Sequence, residues 1–227
     1  MLIPVRKAVL AHNDAEAAEN ARLFESRRVR VVNVMASPGA GKTSLILAVA
    51  RALPEGLRPL VIEGDVASSI DTEKVAAAGI PVHQINTDGD CHLDAGSVRR
   101  AFEALPAVSG PGLLFIENIG NLICPAEFDL GEDLRLVIAS VPEGDDKPRK
   151  YPAIFALADV VILNKTDLLG HVEFDRAAFE AGIRAVNDRA PIFDVTCRGT
   201  TSGIGALVSW LVTEPRPERP DSPAMGT

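Results

Sequence analysis

Val29-Arg-Val-Val-Asn-Val-Met-Ala-Ser-Pro-Gly-Ala-Gly-Lys-Thr43 is the stretch on which the fold turns. Its first seven residues are mostly β-branched and apolar, which suits a buried strand. Ser37-Pro-Gly-Ala-Gly41 then interrupts that run with turn residues. From Lys42 to Leu53 the apolar residues Leu45, Ile46, Val49 and Leu53 recur at helical spacing. A strand, a glycine turn and a helix opening on Gly-Lys-Thr form the context of a phosphate-binding loop, with Ala36 where the first Gly usually stands. Backbone N–H groups from Gly39, Ala40, Gly41, Lys42, Thr43 and Ser44 are expected to converge on phosphate oxygens at the helix N-terminus. Lys42 is expected to reach the β and γ phosphates, and the Thr43 hydroxyl to ligate Mg²⁺. The alternative is a glycine-rich turn with no ligand.

Outward from this stretch the same pattern repeats. Strands are expected at Pro59–Glu63, Val82–Ile85, Leu113–Glu117, Leu134–Ala139, Val160–Asn164 and Ile192–Val195. Helices are expected at Asp71–Ala78, Asp94–Leu105, Phe174–Asn187 and Gly203–Val212. Alternating strands and helices predict an α/β fold of the P-loop NTPase type, a mostly parallel sheet with helices on both faces. Residues 1–28 read as a helical lead-in, interrupted at His12-Asn13-Asp14, with Asp14 as a candidate cap for a helix ending near Ser26. Residues 29–213 read as a single domain, expected to bind nucleotide and, on motifs taken up below, metal. Residues 214–227, rich in Pro and charge, read as a disordered tail.

Composition narrows the function. The chain has 227 residues, 47% of them apolar, which is enough for one full core. A net charge of −8 argues against nucleic acid as a partner. No apolar run approaches the roughly 18 residues of a membrane span, and the N-terminus lacks the apolar core of a secretory signal. Three cysteines make no disulfide framework, and a reducing, cytoplasmic location with metal or thiol chemistry is expected.

Asn164-Lys-Thr-Asp167 at the end of a strand has the N-K-x-D form suited to guanine. Asp167 can accept from the base N1–H and its exocyclic amine, Asn164 can contact the base edge, and Lys165 can lie along the ring. Thr196-Cys-Arg-Gly199, with Cys197, is the candidate loop over the base. Asp65 leaves a strand end and can hold Mg²⁺ through water or position the attacking water. Asp71, further along, either serves the site or caps a helix. Glu117 ends another strand, with Gly120 three residues on, as a second Mg²⁺-directed acid and a γ-phosphate sensor; the alternative is a solvated strand end.

Cys91-His92 precedes a helix, and Cys124 follows Glu117 by seven residues. Thiolate and imidazole suit Zn²⁺ or Ni²⁺. A tetrahedral ion needs a fourth ligand, from water or from the same set in a second subunit. The alternative is two half-buried cysteines and a capping His. Cys124 lies on the segment that should respond to the γ phosphate, so its metal affinity should change with nucleotide state.

With these motifs assembled, the chain resembles the HypB family of nickel-incorporation GTPases of hydrogenase maturation. SPGAGKTSL, the EGD loop, CHLDA, ENIGNLICPAEFDLGED, SVPEGDDKPRKYPAIF and NKTDL carry the resemblance, from about residue 5 to 212. It implies a GTP/GDP-binding domain that dimerises with nucleotide and hydrolyses GTP slowly. It implies nickel delivery, with a HypA-like partner, to a hydrogenase large subunit. It places a metal site on Cys91, His92 and Cys124 at the homodimer interface. Residues 1–28 hold one His and no Cys, so the N-terminal nickel site and storage role of some relatives are not expected. Gly96 stands where some relatives have a further His, which leaves the ligand count open. Two rival readings are a urease-type nickel GTPase and a zinc-stabilised GTP-binding scaffold without significant turnover. The former carries Cys-Pro-His, whereas Ala126 follows Cys124-Pro125 here.

Overall fold

The computed structural model describes residues 5–65, 68–107, 110–199 and 201–215. The first four residues of the lead-in and the expected tail from residue 216 onward lie outside the described residues. The chain opens with helix α1 (Val5–Ser26), strand β1 (Val29–Ala36) and helix α2 (Lys42–Arg51). Then follow β2 (Arg58–Asp65), α3 (Ile70–Ala77), β3 (Val82–Asn86), α4 (Ala95–Ala104) and β4 (Gly112–Glu117). The second half contains β5 (Leu134–Ser140), short helices α5 (Lys147–Lys150) and α6 (Pro152–Ala156), and β6 (Val160–Asn164). Helix α7 (Arg176–Arg184), β7 (Ile192–Val195) and α8 (Ile204–Thr213) complete it. A 3₁₀ turn covers Cys124–Glu127.

The seven strands form one sheet in the order β3-β2-β4-β1-β5-β6-β7. Every pairing is parallel. Strand β1 lies between β4 and β5, and the chain builds outward to opposite sides of it. Parallel α/β sheets bind ligands at such a switch point, beyond the carboxyl ends of the strands. The ends of β1, β2, β4 and β6 carry the phosphate loop, Asp65, Glu117 and Asn164 to that edge.

Strand alternation divides the core. Val32, Val34 and Ala36 pack with Leu45, Ile46 and Val49 of α2, Val75 of α3 and Leu207 and Leu211 of α8. On the opposite face Val29 and Val31 meet Phe24 of α1 and Val98 and Ala101 of α4. Met35 meets Ile154 and Phe155 of α6 and Phe179 and Ile183 of α7. Covering on both faces leaves the central strands apolar throughout, which is why they read as continuous runs.

Three local expectations change. Helix α1 is continuous from Val5, so Asp14 lies mid-helix and caps nothing. Asn13 turns inward to tertiary partners, and the polar triplet is no break. Helix α7 starts later than expected because Asp175 caps it, accepting from the Ala178 N–H. Helices α5 and α6 follow β5 where no element was expected. Each carries a proline at one of its first two positions, which suits a first helical turn, but four or five residues are too few to show a period.

Candidate functional site

The phosphate half of the site forms where α2 begins. A recess of about 210 Å³ is lined by Gly39, Gly41, Lys42, Thr43, Ser44, Asp71, Lys74 and Glu117, with Leu47. It sits at the positive end of α2, where backbone N–H groups have no helical partner. The Thr43 hydroxyl donates to Glu117 Oε1 at 2.9 Å. Glu117 Oε2 is buried with no hydrogen-bond partner. A hydroxyl, a carboxylate oxygen and an orphaned second oxygen facing a phosphate recess are hard oxygen donors of the kind Mg²⁺ takes. These residues therefore fit the ion.

Gly120 packs against the loop itself. A Cβ at this position would lie 2.9 Å from Pro38 Cγ and 3.0 Å from the Pro38 backbone. Any side chain would push the segment after Glu117 off the phosphate loop. The chain is held here from behind as well. The Asn118 N–H donates to the Val34 carbonyl at 3.0 Å, and Asn118 Nδ2 donates to Asn33 Oδ1 at 3.2 Å.

The acid that lines this recess from the first turn of α3 is Asp71, which pairs with Lys74 at 2.7 Å. Asp65 ends β2 in register with Asn86 of the neighbouring strand, and the described lining takes in Asp71 rather than Asp65. Ser69 is the capping position of α3, so Asp71 is not its cap. Sequence reasoning passed over Glu63, which pairs in register with Glu117 and accepts from the Thr72 hydroxyl at 2.6 Å. An acid inside an otherwise apolar strand was the available signal.

Burial pushes the Glu117 carboxyl up to about 7, against the lowering influence of Lys42 and the Thr43 hydrogen bond; neighbouring Glu63 adds to the rise. Burial raises Glu63 as well, partly offset by Thr72. An acid with a raised folded value holds its proton when the unfolded chain has released it. Stability of the metal-free protein should therefore fall as pH climbs from the ordinary 4.5 through about 7. Glu117→Gln is expected to lose less stability than the wild type between pH 5 and pH 8 in urea titrations. Equal losses in the two proteins would refute this.

The base half adjoins the phosphate half through Gly39, Gly41 and Ser44. Asn164, Lys165, Asp167, Leu168, Cys197 and Arg198 complete a recess of about 310 Å³. Asn164 Nδ2 donates to the Ala40 carbonyl at 2.9 Å. Its Oδ1 accepts from the Lys165 N–H at 2.8 Å and from the Cys197 thiol at 3.6 Å. Both ends of the amide are thus engaged with protein, tying the base loop to the phosphate loop. Lys165 Nζ adds a second tie to the Gly39 carbonyl at 2.7 Å. The Asp167 N–H donates to Thr196 Oγ1 at 3.2 Å, which sets the acid against the 196–199 loop. Burial pushes the Cys197 thiol up to about 11, with Asp167 adding to the rise, so it remains a neutral donor here.

The third group lies beside the phosphate half. Cys91 and Cys124 lie near enough to influence one another, and the neighbouring Cys124 thiol is the main cause of a raised Cys91 value. Asn121 lies between them. Its Nδ2 donates to the Cys91 carbonyl at 3.2 Å, and its Oδ1 accepts from the Ile123 N–H at 2.9 Å. His92 Nδ1 is 3.8 Å from the Cys91 sulfur, and the ring stacks on Phe128 with centroids 3.7 Å apart. Among the described residues, no three His, Cys, Asp or Glu side chains gather closely enough to hold a metal ion. One chain presents a thiol pair with an imidazole alongside.

Residues 30–194 match the family described as CobW/HypB/UreG, nucleotide-binding domain. The hydrogenase maturation factor HypB of Rhizobium leguminosarum bv. viciae is 47% identical over 210 residues, covering 92% of this chain and 70% of that protein. The corresponding protein of Escherichia coli K12 is 41% identical over 215 residues, covering 94% and 73%. The crystal structure of HypB from Helicobacter pylori in complex with nickel is similar at a TM-score of 0.84 and 34% identity, covering 88% of this chain and 94% of that one. HypB from Archaeoglobus fulgidus reaches 0.79 and 35%, covering 89% and 98%. With the phosphate loop, the base loop and the thiol pair set on this seven-stranded parallel sheet, the chain belongs to the HypB family.

Proposed function

We propose that this chain is a GTP-hydrolysing metallochaperone that serves hydrogenase maturation by delivering nickel. One observation carries the reading. Cys124 lies on the segment that leaves Glu117 and passes Gly120 against the phosphate loop, and its thiol lies near that of Cys91. A single stretch of chain thus borders both the phosphate recess and the thiol pair. GTP sits with its phosphates on Gly39–Ser44 and its base against Asp167. Lys42 neutralises charge that develops on the phosphates, an electrostatic contribution typical of phosphoryl transfer. Mg²⁺, held by Thr43 and Glu117 with Asp65 or Asp71 nearby, supplies further charge neutralisation when bound.

Nickel is the cargo, with zinc as a competing ion, since thiolate and imidazole ligands suit both. Cys91, His92 and Cys124 from two subunits supply the ligand set, which fits the incomplete group within one chain. Loss of the γ phosphate lets the Glu117–Cys124 segment move, and the ion passes to a HypA-like partner or to the hydrogenase large subunit.

The test is nickel affinity in the presence of GDP and of a non-hydrolysable GTP analogue. The two wild-type values are expected to differ by about 5- to 150-fold, the usual range of coupling between sites. Cys124→Ala is expected to bind weakly in both states. Equal wild-type affinities in the two states would defeat the coupling.

A further inference from the structure

The two segments that carry the thiols are joined at their far ends by α1. Asn13 and Asn20 lie seven residues apart, on one face of that helix, and both are buried. Asn13 Oδ1 accepts from the Ala95 N–H at 2.9 Å, and its Nδ2 donates to the Asp129 carbonyl at 2.8 Å. Asn20 Nδ2 donates to the Ala95 carbonyl at 2.8 Å and to the Leu130 carbonyl at 3.1 Å. Its Oδ1 accepts from Arg99 Nε at 3.0 Å. Ala95 begins α4, directly after Cys91-His92-Leu93-Asp94. Asp129 and Leu130 end the segment that carries Cys124.

The backbone comes close enough to require this arrangement. A Cβ on Gly131 would lie 2.5 Å from the Ala17 carbonyl oxygen and 2.7 Å from Asn20 Cβ, and the residue has φ +84°. Only glycine lets the returning segment reach the Asn20 amide. Arg99 also pairs with Glu19 of α1 at 2.8 Å, an ion pair that touches only the α4 side. Docking is also served by Phe24, which is buried and meets Phe102 edge-on at 4.8 Å. Two carboxamides, each joining both thiol-bearing segments, do more than attach a helix.

We infer that Asn13 and Asn20 are positioning residues for the metal site: they set the spacing of Cys91 and Cys124 from behind. This rests on the reading of those cysteines as metal ligands. Partners outside the ligand shell commonly alter metal affinity by about 10- to 100-fold.

The experiment measures Ni²⁺ and Zn²⁺ affinity of the full chain, and the sulfur-to-nickel charge-transfer band, for wild type, Asn13→Ala, Asn20→Ala, Phe24→Leu and Cys124→Ser. GDP affinity serves as the control for native folding. The asparagine variants are expected to bind both metals at least about tenfold more weakly, with a weakened band and unchanged GDP affinity. Phe24→Leu is expected to lower Tm with metal affinity intact. If Asn20→Ala does not fold, Asn13→Ala and a metal-free readout remain. Phenylarsine oxide, which bridges two close thiols, should capture the pair more slowly in Asn13→Ala than in the wild type. Asparagine variants with wild-type affinity and capture rate overturn the inference alone. So does a Phe24→Leu loss of metal affinity equal to theirs at matched Tm. A wild type whose affinity does not depend on Cys124 overturns the metal reading itself, and the inference with it.

Discussion

Replacing Lys42 by alanine is expected to lower GTP turnover by about 10²- to 10³-fold, the usual cost of removing one preorganised electrostatic contact to a reacting centre. Two effects act in the same direction. The ammonium that lines the phosphate recess is lost. Its charge also holds the Glu117 carboxyl below the value that burial alone would set, so the variant carries a Glu117 that stays protonated to higher pH. A protonated carboxyl is a poor partner for a divalent cation. Phosphate release under single-turnover conditions, followed from pH 6 to pH 9, checks both. The variant should show its rate shifted toward alkaline pH as well as reduced. A variant that matches the wild type would remove Lys42 from the mechanism. A wild type with no turnover, even with metal and partner present, would leave the scaffold reading in possession.

The second large effect concerns the base. Asp167 lines the base recess beside Thr196 and Cys197. Its carboxylate can accept both from N1–H and from the exocyclic amine of guanine. Asparagine offers one acceptor and one donor, so one of the two groups on the base would face a donor. Hydrogen bonds to a charged group are worth roughly 1.5–3 kcal/mol each. Loss of one predicts a fall in GTP affinity of about 10- to 10²-fold for Asp167→Asn. Xanthine nucleotides carry a carbonyl where guanine carries the amine, and they should bind the variant better than the wild type. Titration calorimetry with both nucleotides decides the matter. Unchanged GTP affinity would place the base elsewhere.

Much of this molecule is legible in one dimension, and the reasons are local. A strand buried on both faces must be apolar along its length, so β4, β5 and β6 announce themselves as short apolar runs. A phosphate loop needs glycine and lysine at fixed offsets, because backbone N–H groups must converge within a few residues; Gly39 to Ser44 satisfy that within a single turn. The helices between strands show a period because each has one face on the sheet.

What stayed hidden depends on distance along the chain. Asn13 and Asn20 look like ordinary polar residues of a surface helix, and their partners lie 75 to 116 residues away. Glu63 stands out in sequence as an acid in an apolar strand, but its neighbour Glu117 is chosen by the β2–β4 register. Asn164 reads as a base contact, yet the fold spends its amide on the phosphate loop 124 residues upstream. Composition and spacing report what each segment prefers, because those preferences arise from near neighbours. Which buried polar groups satisfy one another is settled only when the sheet brings strand ends together, since an unpaired amide or carboxylate in the interior costs more than the chain can spare.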